Sequence, residues 1–226
     1  MKKICLFVVG LFILSALKAQ DNGVGLVITS LGMRTIKVRY ERKLGDKISV
    51  GTHLGYQLSS DIMGIHDPEY DVTAKYYGIN ASPEFRFYPG GEAMNGFYLG
   101  AYMRLAQRTL KYTDNFDFYE DRATGKLNTI GGGFQMGTQW VIKDVVGIDF
   151  YWLGIGVCRH NIKLEFESDD PTVDYESWKN EIDSEWSDIP MIGKKLTTDA
   201  TSHSLEMQVP FMFFDFRFGL AVSFMF

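Results

Sequence analysis

The chain has 226 residues, 46% of them apolar and 15% aromatic, with 23 glycines but only 6 prolines and 2 cysteines. That length carries one domain with a full core, and the Gly- and aromatic-rich, Pro-poor profile favours β-structure over helix. A formal charge of -5 without basic clusters excludes a nucleic-acid partner, because an acidic surface repels a phosphate backbone.

At the start, Lys2 and Lys3 precede an apolar run from Cys5 to Leu17, and Ala19 supplies a small residue at a cleavage point. This predicts a secretory signal peptide over residues 1–19 and leaves 20–226 as the folded domain. The run is short for a bilayer-spanning helix, and Cys5 lies too early for a lipid attachment site. Loss of Lys2, Lys3 and Lys18 moves the formal charge from -5 to -8 and leaves Cys158 as the single cysteine, so no intramolecular disulfide is expected.

Beyond Gln20 no apolar stretch has the length of a membrane helix, but period-two alternation recurs. Strands are predicted at 23–31, 34–43, 47–58, 75–88, 95–112, 126–141, 145–165 and 211–226. Ile48, Val50, Leu54, Tyr56 and Leu58 share one face of the third, while Ser49, Gly51, His53, Gly55 and Gln57 share the other. In the fifth, Phe97, Leu99, Ala101, Met103 and Leu105 oppose Tyr98, Gly100, Tyr102 and Arg104. In the sixth, Ile130, Phe134, Met136 and Trp140 oppose Gly131, Gly133, Gln135, Gly137 and Gln139. The second face is small and polar, as the inside of a narrow barrel requires, whereas a soluble sandwich would place Lys and Glu outside. Pro83 inside the fourth strand predicts a bulge, and a change of apolar parity in the seventh predicts another near Trp152.

From the second onward the connections alternate short and long: "LGDK", 59–74, "PGGEAMN", 113–125, "IKDV" and 166–210. Short turns on one side and long loops on the other suit an even-stranded barrel in the outer membrane, although the first connection is short where a long one is expected. The last connection carries nine acids and one lysine between Glu167 and Asp188. Asp170 reads as a helix cap, Pro171 as a first-turn residue and Pro190 as a stop, and Tyr175, Trp178, Ile182, Trp186 and Ile189 form one apolar stripe. The stripe makes Trp178, Ile182 and Trp186 a candidate interaction helix, and packing of that stripe over the barrel mouth is the expectation. The other long loops are acidic too, with Asp61, Asp67, Glu69 and Asp71 in one and Asp114, Asp117, Glu120 and Asp121 in the other, suiting divalent-cation bridges to lipid phosphates as well as plain solvation.

The segments "VRYERKLGDKISVGTHLGY", "PEFRFYPGGEAMNGFYLGAYMR", "GGGFQMGTQW" and "FRFGLAVSFMF" are together similar to a domain-of-unknown-function family of small outer-membrane β-barrel proteins from Bacteroidetes. The resemblance covers most of the chain after the signal peptide, least well the acidic insert. It implies an eight-stranded barrel and no established activity, so no catalytic residue carries over. The closing Phe218, Leu220, Val222, Phe224 and Phe226 resemble the signal read by barrel-assembly machinery.

The fold class is therefore all-β: a closed antiparallel eight-stranded transmembrane β-barrel with one acidic helical insert before the last strand. Strand phase points Lys37, Arg39, Glu41, Glu84, Arg86, Arg104, Asp149, Asp215 and Arg217 inward, five positive and four negative. Eight strands enclose only enough space for side chains, so a paired network filling the lumen is preferred to a selective pore. No cofactor, metal site or enzymatic activity is expected. The predicted role is that of a small integral outer-membrane protein with a packed lumen, acting structurally or in surface interaction, with outer-membrane lipid and the assembly machinery as partners. Two alternatives are a rim hydrolase drawing on His66, His160 or His203 with Asp199 or Glu165, and a soluble periplasmic barrel holding a small apolar ligand.

Overall fold

The computed structural model describes residues 21–61, 71–116, 119–186 and 195–226. Residues 1–20, where a signal peptide is expected, and His66, Asp67, Glu69, Asp117, Asp188, Ile189 and Pro190 lie outside the described residues. The elements in chain order are β1 (Asn22–Val27), α1 (Ile28–Leu31), β2 (Thr35–Gly45), β3 (Ile48–Asp61), β4 (Asp71–Phe87), β5 (Gly96–Phe116), β6 (Tyr119–Ile142), β7 (Val146–Ser168), α2 (Tyr175–Trp186), β8 (Thr197–Ala200) and β9 (Ser204–Met225).

All strand pairings are antiparallel, in the order β1-β2-β3-β4-β5-β6-β7-β9-β8, and β1 pairs again with β9. Eight strands thus close a ring of hydrogen bonds, with the four-residue β8 appended outside it. The direct partners of Leu26 run through Val38, Leu54, Ala81, Leu105, Ile130 and Arg159 to Met212, ten residues from Val222, which Leu26 meets across the seam. A stagger of that size tilts the strands by about 40°. Tilted strands closed in register leave an inside that side chains can fill completely.

Several strands are longer than their apolar alternation. β5 and β6 pair without interruption to Phe116↔Tyr119, so most of the expected loop over 113–125 is strand. Likewise β9 begins at Ser204 rather than 211, and β8 lies within the connection expected to hold only a helix. In β5 and β6 ladder hydrogen bonds between neighbours hold the extension without an apolar alternation to announce it, whereas the β9 extension does alternate, with Leu205 and Met207 buried on one face. Conversely, β1 leaves extended geometry at Val27, and the chain expected to continue to 31 makes the single turn α1. Ser30 Oγ, buried there, lies 2.6 and 2.8 Å from the carbonyl oxygens of Val27 and Thr35, and Thr29 Oγ1 accepts the Leu220 N–H at 3.3 Å.

The expected bulge near Trp152 is present: Tyr151 pairs with Gly219 and Gly154 with Arg217, so Trp152 and Leu153 together face outward. The bulge expected at Pro83 is not. Ala81↔Leu105 and Glu84↔Tyr102 lie in one unshifted register, and the ladder to β5 simply omits Ser82 and Pro83. Continuous pairing to β3 on the other side, Thr52↔Pro83 included, keeps the strand straight.

Wall height is uneven: β1 has 6 residues and β2 has 11, against 24 in β6 and 22 in β9. One edge of β9 therefore carries β1 at Ala221–Met225 and β8 at Leu205–Gln208, with no strand among the described residues between them. Asn22 and Phe226 exchange backbone hydrogen bonds of 3.0 and 2.8 Å, so the even-numbered backbone groups of β9 face that edge. Pro210, even-numbered and without an N–H, stands where such a gap tolerates it.

Candidate functional site: an enclosed charge network

The ring inverts the usual partition of residues. Its outer face exposes Leu54, Ile79, Phe85, Met103, Phe134, Ile155 and Phe216, while Arg39, Glu41, His53, Glu84, Arg86, Gln135, Gln139, Asp149 and Arg217 are buried inside. Alternation along each strand produces both faces from one sequence. At the β1–β9 turn end, Met94 and Met225 close the inside, each within about 3 Å of where a Cβ on Gly23 would stand.

Charges are matched at the centre. Arg86 donates from Nε and Nη2 to Glu84 Oε2 at 3.0 and 2.7 Å, and from Nη1 to Asp149 Oδ2 at 3.0 Å. Arg39 bonds Glu41, and its Nη1 lies 3.0 Å from Asp149 Oδ2, near enough for strong attraction though outside hydrogen-bond alignment. Glu84 is the hub, since Arg217 bonds its Oε1 and Gln135 Nε2 donates to its Oε2 at 3.0 Å. Arg217 Nη2 lies 3.0 Å from His53 Nδ1. A guanidinium can only donate, so Nδ1 accepts and a neutral ring carries its proton on Nε2, 3.3 Å from Glu84 Oε1. Three arginines thus meet three carboxylates, which is what removal from water demands of charged groups.

Uncharged groups complete the shell. Tyr98 Oη donates to Asp149 Oδ1 at 2.9 Å, and Ser49 bonds Glu41. Tyr88 Oη lies 2.9 Å from Glu41 Oε1 and 2.8 Å from Gln139 Oε1. Arg86 also sits 4.2 Å above the Tyr98 ring, and Arg217 lies over Tyr151 and Tyr102 at 4.8 and 5.0 Å. Facing glycines make room for these rings. A Cβ on Gly219 would stand 2.2 Å from Tyr151 Oη, and one on Gly137 2.6 Å from Tyr98 Oη.

Of the nine charged residues predicted to face inward, six form this cluster. Arg104 and Asp215 form a separate pair at 2.5 Å, and Tyr102 Oη donates to Asp215 at 3.0 Å. Lys37 is the exception: it is half-buried and makes no ion pair with a described residue. Its direct cross-strand neighbour is Gly55, so phase placed it correctly but no carboxylate stands beside it. Sequence reasoning did not assign Ser49, Tyr88, Tyr98, Gln135 and Gln139 to the network, although their shared parity with the charges was the available signal.

The acidic segment differs from its expectation. Asp170 does not cap the helix: its Oδ1 accepts from Thr172 N and Oγ1 at 2.8 and 2.7 Å, and these bonds hold its carboxyl below the usual range. The cap is Asp174, whose Oδ1 accepts the Ser177 N–H at 3.1 Å, and α2 begins at Tyr175. Tyr175 is buried and Ile182 half-buried, but Trp178 is 47% and Trp186 36% exposed. Helix α2 contacts β8 and β9 instead of laying the whole stripe over the mouth of the ring, and Asp183 bonds Thr198 of β8. Because β8 supplies a docking edge, two tryptophans of the stripe remain outside the contact.

Among the described residues His160 and His203 do not come together. His160 stacks on Phe211 at 5.0 Å and lies 3.0 Å from Thr129 Oγ1, while Glu165, an odd number of residues along β7, faces the opposite side of the sheet. His203 lies in the turn before β9, and neither it nor His160 has a recorded carboxylate partner among the described residues. Among the described residues no group of three or more His, Cys, Asp or Glu is placed to hold a metal ion. Of the closing aromatic positions, Phe218 and Phe224 are strongly exposed, Val222 less so, Leu220 is intermediate, and Phe226 stacks on Phe224 at 6.1 Å.

Residues 4–182 match the family described as protein of unknown function (DUF3575), and the chain belongs to it. No curated protein and no solved structure matches the chain.

Proposed function

We propose that this DUF3575 chain is a small integral outer-membrane protein: an eight-stranded β-barrel with a packed lumen, exported by a cleaved signal peptide over residues 1–19 and serving a structural or surface-interaction role. The observation that carries the proposal is the inverted partition, with a matched ionic interior and an exterior on which Phe134 is 78% and Phe216 68% exposed. In water an apolar belt of this extent would drive association, whereas in a bilayer it is the solvated face. A closed ring also satisfies the condition that lipid imposes on strands, since paired backbone groups need no water.

The belt has bilayer dimensions. Along β9 the outward Met212, Phe214, Phe216, Phe218, Val222 and Phe224 occur within thirteen residues, roughly 30 Å of tilted strand. An interior filled by three arginines and three carboxylates leaves polar groups, not an apolar cavity, at the centre, which favours a packed lumen over carriage of an apolar ligand. Length beyond the belt in β5, β6, β7 and β9, with α2 and β8, supplies a polar surface for contacts outside the cell.

The test is fractionation of expressing cells followed by carbonate washing. The chain should remain with outer membranes, require detergent for release, and migrate differently on gels before and after boiling. Recovery in the soluble periplasmic fraction would refute the proposal.

A further inference from the structure

We propose that the unpaired edge of β9 is a docking groove for a membrane lipid with a phosphate-bearing head, held by Arg159 and Lys195. The proposal rests on the outer-membrane reading and names a ligand for one part of that surface.

Where β8 leaves β9 at Thr197↔Gln208, a cavity of about 260 Å³ opens between Arg159, Lys195, Pro210, Phe211 and Met212. Arg159 pairs across the strands with Met212 and lies on the outward face, at the upper end of the apolar belt. Lys195 comes two residues before β8 and is exposed. Neither cation makes an ion pair with a described residue, and the floor between them is apolar. Two cations that no described carboxylate pairs, over an apolar floor, recognise an anionic head attached to a hydrocarbon tail.

The tail has a path. Below the cavity Met212, Phe214, Phe216 and Phe218 are 60–68% exposed and run down the edge that neither β1 nor β8 covers. Free phosphate would use the cations alone, whereas a head whose tail lies along this stripe uses both the cations and the belt. A second copy fits poorly, because antiparallel pairing of the edge with itself would invert one copy relative to the other, and two copies inserted in the same direction cannot do that. The backbone N–H and C=O groups of those even-numbered residues face the groove, where ester groups and the waters that accompany a head can reach them.

Native mass spectrometry of the detergent-purified full chain tests this, with dioleoyl phosphatidylglycerol as the probe and dioleoylglycerol, which lacks the phosphate, as the control. One phosphatidylglycerol per chain should be retained, millimolar inorganic phosphate should not displace it, and dioleoylglycerol should not be retained. Arg159→Gln with Lys195→Gln should weaken retention by about tenfold, whereas Lys47→Gln with Lys143→Gln, an equal charge loss at the opposite end, should not. Equal retention by both double variants overturns the site. Displacement by inorganic phosphate overturns the lipid assignment. With p-benzoylphenylalanine in place of Phe216, a polypeptide adduct on photolysis in membranes would assign the groove to a protein strand instead. Failure of the outer-membrane reading looks different: the chain would then be recovered without detergent, whatever its lipid binding.

Discussion

The inner and outer faces of the ring are made by the same strands yet obey opposite rules. Glu84 and Phe85 are neighbours in β4, one buried among four cationic or polar partners, the other 46% exposed. Inside, a group is held by specific partners, so its cost on removal depends on what it leaves behind. Outside, in the proposed bilayer setting, a side chain needs only to be apolar, so identity should matter little and charge greatly. The contrast predicts that substitutions on the polar face destabilise most, the reverse of a water-soluble β-sandwich.

Glu84→Ala is the strongest way to break that contrast. It strips Arg86, Arg217 and His53 of a shared partner in a site closed to water, and should destabilise by roughly 3–5 kcal/mol. The measure is the urea midpoint of the detergent-folded protein. Arg217→Ala should act in the same direction without opening a conducting pore, and a large stable conductance of the wild type in planar bilayers would contradict the packed interior.

On the outer face, Met103→Arg and Val222→Arg place guanidinium groups where the surface is apolar and should each cost about 2–4 kcal/mol, while substitution of either by Leu should be nearly silent. Tolerance of arginine there equal to that at exposed Glu176 would show that the belt does not face lipid.

Gly219→Ala probes the border between the faces. The added Cβ would stand 2.2 Å from Tyr151 Oη and 2.8 Å from Thr29 Oγ1, so the ring over Arg217 must shift, at a cost on the order of 1–3 kcal/mol. Removing the hydroxyl with Tyr151→Phe in the same chain should recover part of the loss, and no recovery would mean that the clash is relieved by backbone movement.

The smallest effect belongs to α2, which lies outside the ring. Asp174→Ala removes its cap and should cost the helix about 1 kcal/mol, read as faster protease cleavage near Trp178 with an unchanged unfolding midpoint for the ring. Thr198 and then Lys179 hold the Asp183 carboxyl below its usual range. A carboxyl depressed by folding contributes above its unfolded pKa and loses that contribution as pH falls through the folded value. Cleavage should therefore rise only on acidification below the ordinary carboxylate range, and Asp183→Asn should flatten the profile.

Alternation was legible wherever one face is apolar. Lys37 to Glu41, Glu84 to Arg86 and Arg217 to Phe226 were assigned to the correct side from parity alone, and the lost phase at Trp152 located the bulge. Parity cannot say who touches whom. Arg39 meets Asp149 from more than a hundred positions away in sequence, and Lys37, in phase with it, pairs with no carboxylate among the described residues. The reach of β5 and β6 beyond the apolar belt was likewise hidden, because pairing with a neighbouring strand needs no apolar residue, whereas the start of β9 carried a short alternation of Leu205, Met207 and Val209.

The sequence by itself determined which residues face in and which face out, since a strand has a period of two and one face must be apolar. Only the tertiary structure decided the stagger of ten residues, the uneven walls it joins, the partners inside and the uncovered edge of β9. Each of these depends on where one strand lies relative to another, and pairing between distant strands is set by closure of the ring, which no local pattern encodes.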